Sequence, residues 1–372
     1  MGIDEAGQGV LGDRDAITYS RRAHARTTRS VLAAQLSYLF PAKPEPGRTI
    51  EVAPGVHWLR MPLPFALNHI NLWLLEDGES WTIVDCGLAS EETKALWQRV
   101  FETTLDGRPV GRVICTHFHP DHAGLAGWLT ERWGVELWMS RTEWLFARSL
   151  QMDAGAPVID HMLAFYHRAG CGPEFLEAIS QIGATYPKRV NPVPRAYQRM
   201  RDGDEIAIGG TAWKVVVGTG HAPEHCCLHA AELGVLIAGD MVLPRISPNV
   251  SVWNSEPEAN PLADFLASLT KLAQLPGETK VLPSHNEPFT GMRERLEELA
   301  QHHEERLVDL NGLLDQPKTA IALAKDLFKR PLDLHQTTFA VGETLAHLHL
   351  LRERAQAKRS IDANGVYLYE RA

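Results

Sequence analysis

Apolar residues arrive in short β-type bursts from about position 52 onward. VHWLRMP (56–62), HINLWLL (69–75) and WTIVDCG (81–87) are rich in Val, Ile, Leu and Trp and bounded by Pro, Gly and Asp, as strands between turns are. A helix is expected at 91–101. Then come a buried strand in VGRVICT (110–116), a His-rich loop, a helix near 123–133 and a strand in VELWMS (135–140). Strands separated by helices predict layered α/β packing, and the consecutive opening strands exclude a purely parallel sheet. Strand signals resume in DEIAIGGTAWKVVVG (204–218) and CCLHAAELGVLIAGD (226–240). A helix at about 262–275, the strand KVLP (280–283) and the loop SHNE follow.

Three stretches depart from this rhythm. Residues 1–48 read as an N-terminal arm: Arg21, Arg22, Arg26 and Arg29 precede an apolar run at 31–40, expected as a helix against the main body or a partner, then the break PAKPEPG. Residues 141–200 are helical, studded with aromatics and punctuated by Pro, the character of an insertion that covers a pocket or closes a core. The tail, 301–372, reads as three helices and a hairpin turning at Asn364-Gly365, a winged-helix-like layout. The main body is therefore expected at 49–300.

Composition narrows the function. Lys and Arg number 37 against 46 Asp and Glu, a net −9, and the tail's acids and bases balance. An acidic surface repels phosphate backbones, so nucleic acid is a disfavoured partner, and the tail is expected to serve in packing or homodimer formation. No apolar run is long enough to span a bilayer. The polar, acidic start lacks the layout of a secretory signal, so a cytoplasmic location is expected. Five cysteines without C-x-x-C spacing argue against a disulfide framework or a zinc ribbon. The unusual count is His, at 17.

Their placement points to chemistry. In Thr116-His117-Phe118-His119-Pro120-Asp121-His122, four ligand-type side chains cannot share one face of a strand or helix, but on a loop they can converge on two adjacent ions. Imidazole with carboxylate and no Cys among the motif's own residues suits a catalytic Zn²⁺, Fe or Mn site. The sequence resembles the metallo-β-lactamase superfamily over about residues 52–290. Besides the H-x-H-x-D-H loop, IVDCG carries Asp85, GTGHAPEH carries His221, IAGDMV carries Asp240 and LPSHNE carries His285, in the family's order.

The resemblance implies an αββα sandwich and two divalent metals, Zn²⁺ foremost. His117, His119 and His221 would hold one metal, and Asp121, His122 and His285 the other, with Asp240 bridging. A hydroxide shared by the metals would attack a carbonyl, with Asp121 orienting it and shuttling its proton. Asp85 is expected to fix a ligand histidine's tautomer. His225 is expected in the pocket wall and His69 near the substrate. Cys226 and Cys227 read as core. A thioester, ester or lactone hydrolase similar to glyoxalase II, acting on a small acyl substrate, is the function implied. An endoribonuclease or a β-lactamase-type amide hydrolase is the alternative.

Overall fold

The computed structural model describes residues 36–65, 67–153 and 155–372, so the arginines of the N-terminal arm and residues 31–35 of its apolar run lie outside it. The rest of that run is not helical: β1 (Ser37–Tyr38) is a short strand. A first series of strands follows, comprising β2 (Thr49–Ala53), β3 (Val56–Pro62), β4 (His69–Asp77) and β5 (Ser80–Val84). Next come α1 (Glu91–Thr103), β6 (Val110–Ile114), α2 (Pro120–Ala123), α3 (Ala126–Trp133) and β7 (Leu137–Ser140). Four helices, α4 (Arg141–Met152), α5 (Ala156–Arg168), α6 (Pro173–Ile182) and α7 (Tyr186–Arg189), lead to β8 (Tyr197–Met200).

The second half holds β9 (Glu205–Ile208), β10 (Thr211–Gly218), β11 (His225–Ala230) and β12 (Val235–Gly239), then α8 (Pro261–Leu272), β13 (Lys280–Pro283) and β14 (Phe289–Thr290). Helices α9 (Met292–Gly312), α10 (Ala320–Leu327) and α11 (Leu334–Glu353) and the hairpin β15 (Ala357–Ile361) and β16 (Tyr367–Arg371) complete it. The boundary expected at 300/301 falls inside α9. The hairpin turns through the expected Asn364-Gly365 pair. Asp362 Oδ1 accepts from the backbone N–H groups of Asn364 and Val366, and Gly365 alone takes a positive φ, 82°.

Strands β2 to β8 form one sheet in chain order, and the other runs β1-β14-β13-β12-β11-β10-β9. The two sheets face each other across Trp58, Trp73, Val84, Ile114, Trp213, Leu228 and Ile237, all essentially buried. Truncating one of these tryptophans to Ala would cost about 3–5 kcal/mol, because it leaves both a cavity and lost transfer energy. On the outer face of the first sheet, α1, α3 and α4 bury Trp97, Leu129 and Ala147. Outside the second, α8, α9 and α11 bury Phe265, Leu299 and Leu348. The result is the expected αββα sandwich. The 141–200 insertion divides its loyalties: α4 and α7 join the first outer core, while Tyr166, Ala169, Cys171 and Ile179 join the second, against the C-terminal helices.

Helix α11 touches the loop between β12 and α8 with no side chain in between. A Cβ on Gly342 would lie 2.8 Å from Ser251 Cβ, and the Gly342 carbonyl accepts from Val252 N–H. Glycine inside a helix costs about 1 kcal/mol relative to Ala, so close approach is what it serves here. The same helix pairs with α9 through two buried histidines, which the sequence places on separate helices without linking them. His303 Nδ1–H donates to His347 Nε2 (3.2 Å), and His347 Nδ1–H donates to the Glu343 carbonyl.

Two tests follow from this packing. Gly342→Ala should destabilise the fold by about 1–3 kcal/mol despite its better propensity, since overpacking outweighs it; an unchanged urea midpoint would refute the close-approach reading. Burial pushes His303 down to about 3 and His347 to about 4. An unfolded histidine titrates near ~6.5, so as pH falls below that value the unfolded chain binds protons the folded one refuses, and stability declines. The urea midpoint should therefore drop from pH 7 to pH 5, and less steeply in the double variant His303→Leu/His347→Leu.

Candidate metal centre

Strand β6 ends at Ile114, and the chain then turns across the edge of the sandwich. Pro120 opens α2 at the first helical position, which suits a residue without an N–H. This loop-to-helix turn splays the cluster: His117, His119 and His122 are drawn inward and Asp121 lies at the rim, its side chain 20% exposed. The turns after β10, β12 and β13 bring in His221, Asp240 and His285. Candidate ligand atoms of His117, His119, His221 and Asp240 lie within 4.8 Å of one another, and so do those of Asp121, His122 and His285. Asp240 faces both groups, with Oδ2 3.5 Å from His221 Nε2 and Oδ1 3.4 Å from His285 Nε2.

The outer nitrogens decide what the inner ones can do. His122 Nδ1–H donates to Asp85 Oδ2 (2.8 Å), His221 Nδ1–H to the Asn249 carbonyl (2.8 Å) and His285 Nδ1–H to the His69 carbonyl (2.9 Å). Thr116 Oγ1 donates to Asp85 and accepts from His117 Nδ1–H (3.0 Å). Each of these rings therefore turns an unprotonated Nε2 inward. His117 Nε2 lies 3.3 Å from His221 Nε2, and the buried His122 Nε2 and Asp240 Oδ1 have no hydrogen-bond partner. Lone pairs held this close repel one another unless a cation lies among them, so the donor set fits divalent metal. Burial, then the neighbouring imidazoles, hold His117 well below the ordinary histidine range.

Asp85 stands directly behind His122. It is fully buried, accepts from Thr116 N–H and from His122, and sits in the left-handed region at φ 65°. Asp tolerates that conformation better than bulkier residues, at a strain typical of sites where geometry matters more than local comfort. His225 is a backing residue: its Nε2 accepts from Asp240 N–H at 3.1 Å. Gly239 is required beside it, because a Cβ there would stand 2.2 Å from His225 Nε2. His69 is not free for substrate. Its Nε2 accepts from Asn286 N–H and its Nδ1–H donates to Asn68 Oδ1, so both ring nitrogens are spent bracing the His285 turn. Cys226 and Cys227 are buried in β11.

Two residues essential to this arrangement escaped the sequence. Glu143, fully buried at the start of α4, accepts from Phe118 N–H (2.9 Å) and Glu224 N–H (2.6 Å), clamping the two His-bearing loops together. Burial raises its carboxyl to about 7. Asn71 on β4 donates to the carbonyls of Pro283 and Asn286, and its N–H to that of Ser284, stitching the His285 turn to the opposite sheet. Neither lies in a motif; the one trace is a polar residue inside an apolar strand.

A family model described as metallo-beta-lactamase superfamily matches residues 67–285. The chain belongs to the metallo-β-lactamase superfamily. A second model, the metallo-beta-lactamase-like C-terminal domain, matches residues 307–372. A β-lactamase domain protein from Burkholderia ambifaria is 47% identical, with TM-score 0.85 over 91% of this chain and 98% of its own. A metallo-β-lactamase family protein of Thermus thermophilus is 33% identical, with TM-score 0.74 over 87% and 100%. A probable metallo-hydrolase of Bacillus subtilis is 26% identical over 83% of this chain and 96% of its own. Membership makes this chain a metal-dependent hydrolase. Among the described residues, no helix is long and apolar enough to cross a membrane.

Asp85→Asn keeps the shape but offers an amide N–H where His122 needs an acceptor. Loss of such an outer partner typically costs about 10–100-fold in metal affinity. Chelator competition should show that loss, and wild-type affinity would contradict the anchoring role.

Proposed function

We propose that this metallo-β-lactamase superfamily member is a dinuclear hydrolase of thioester, ester or lactone bonds. His117, His119 and His221 hold one cation, Asp121, His122 and His285 the other, and Asp240 serves both. The observation that carries the reading is the placement of Asp240, one oxygen toward each histidine group. Zn²⁺ suits the mixed nitrogen and oxygen donors, as Fe or Mn would. When bound, such cations polarise a carbonyl and bring a water's pKa toward neutrality.

The protein's own groups do the rest. Asp121, the more exposed carboxylate of the cluster, is placed to orient the attacking water and to take its proton on a carboxylate oxygen. Asp85, Thr116, Asn249 and His69 keep the rings from turning, so the reacting geometry needs no rearrangement. Support for a carbonyl substrate comes from a relative in Cupriavidus metallidurans named hydroxyacylglutathione hydrolase, 29% identical over 62% of this chain and 68% of its own. The net charge of −9 argues against a polyanionic RNA. A small acyl compound handled in the cytoplasm is the substrate this favours.

The test is a panel of acyl thioesters, lactones, β-lactams and structured RNA, run with metal content measured on the same protein. Thioester or lactone turnover with two metals per chain is expected, and cleavage confined to RNA would overturn the reading. Asp121→Ala should keep part of its metal and lose about 10²–10⁴-fold in rate, the usual worth of a positioned acid-base group. His119→Ala should lose metal and activity together.

A further inference from the structure

The C-terminal helix α11 backs the loops that anchor two of the clustered histidines. Gly342 of α11 touches Ser251, and Ser251 Oγ donates to Asn249 Oδ1, the residue whose carbonyl holds His221. Seven residues earlier on the same helix, the ring of His335 stacks on Phe65 at 6.2 Å and 9°. Phe65 lies in the loop between β3 and β4 that ends at His69, whose carbonyl holds His285. The first half of α11 therefore runs about 10 Å, at 1.5 Å per residue, from the His285 side of the centre to the His221 side. Phe339 lies midway, 4.8 Å from the His335 ring and 6.3 Å from Trp253.

The same aromatic wall carries a guanidinium. Arg189 ends the single turn α7, whose Tyr186 Oη donates to the Phe118 carbonyl between two of the clustered histidines (2.7 Å). From there it reaches across to Phe65, with its guanidinium carbon 5.1 Å from the ring centroid. It makes no ion pair and no side-chain hydrogen bond among the described residues, in a chain with nine more acids than bases. Arginine stacked on a ring keeps its N–H edge open, the geometry that takes an anionic oxygen pair two-pronged. The two candidate ligand groups contain carboxylates and imidazoles but no Lys or Arg, so a cation for an anionic substrate group has to come from outside them, as Arg189 does.

We propose that Arg189, seated on Phe65 and walled by His335 and Phe339, is the subsite for an anionic group of the substrate, remote from the scissile carbonyl. It rests on the carbonyl-hydrolase reading and deepens it: the preferred acyl compound carries a carboxylate or phosphate beside an apolar portion that lies along α11. Because the group does not react, Arg189 contributes binding that is equal in ground and transition states, and its loss should raise KM more than it lowers kcat.

The experiment compares three acetyl thioesters on the metal-loaded enzyme: the neutral N-acetylcysteamine ester, a mercaptopropionate ester carrying a carboxylate, and the coenzyme A ester carrying phosphates. Wild type should prefer at least one anionic ester in kcat/KM, and whichever is preferred identifies the anion. Arg189→Gln should cut that anionic-to-neutral preference by about 10–100-fold, the worth of a charge-assisted hydrogen bond, mostly through KM. Arg189→Lys, which keeps charge but not the planar fork, should fall between. No preference in wild type, or an equal loss for all three esters, would overturn the subsite.

Equilibrium binding of the matching non-hydrolysable thioethers gives a second readout. If no thioester is turned over but the anionic thioether binds in an Arg189-dependent way, the subsite stands and the reaction assignment fails. Turnover with thioether binding indifferent to charge and to Arg189 fails the subsite alone.

Discussion

Mutual repulsion among acceptors is the constraint this structure is organised around. Four anchored imidazoles and two carboxylates turn lone pairs toward a shared space, and nothing in a polypeptide makes that arrangement favourable in itself. It holds because the outward nitrogen of each anchored ring is already committed to Asp85, Thr116, Asn249 or His69. Those commitments fix tautomer and orientation before any cation arrives. The cost of assembling the cluster is carried by the sandwich, whose buried tryptophans and aliphatic strands supply the excess stability.

The anchors come from parts of the chain with little else in common. Asp85 follows a central strand of one sheet, Asn249 lies in a long loop beneath α11, and the His69 carbonyl begins β4. Glu143 and Asn71 add connections between loops, so that no ligand turn is held by its own segment alone. The C-terminal helices belong to this scheme as much as the sheets do. They press the Asn249 loop into place through the contact between Gly342 and Ser251, a backbone approach that any larger residue would push apart.

Much of this was legible in the sequence, and the remainder failed for definable reasons. The strands at 56–62 and 280–283 were readable because they are short, apolar and bounded by turn residues. The residues that gather in the candidate metal cluster could be named because spaced motifs in a fixed order carry more information than composition. The end of the apolar run near position 40 was misjudged because its Ser37 and Tyr38 pair with Thr290 and Phe289, partners about 250 residues away that local pattern does not show. The hairpin was readable from its Asn364-Gly365 pair, which lies in the turn between β15 and β16, though the part Asp362 plays in shaping that turn was not. His69 looked available for substrate, since nothing in the order of residues shows that Asn68 and Asn286 would occupy both its nitrogens. Glu143 and the partnership of His303 with His347 depend on which helices meet, which only tertiary packing decides.

The parallel pairing of β12 with β13 has a consequence for the order in which this protein matures. Asp240 directly follows one of those strands and His285 the other, with α8 between them. A nascent chain can expose the His117 to His122 loop long before these pieces exist, and in that interval it offers only an open, weakly chelating peptide. The candidate ligand set is therefore complete only once β12 and β13 have been made and paired.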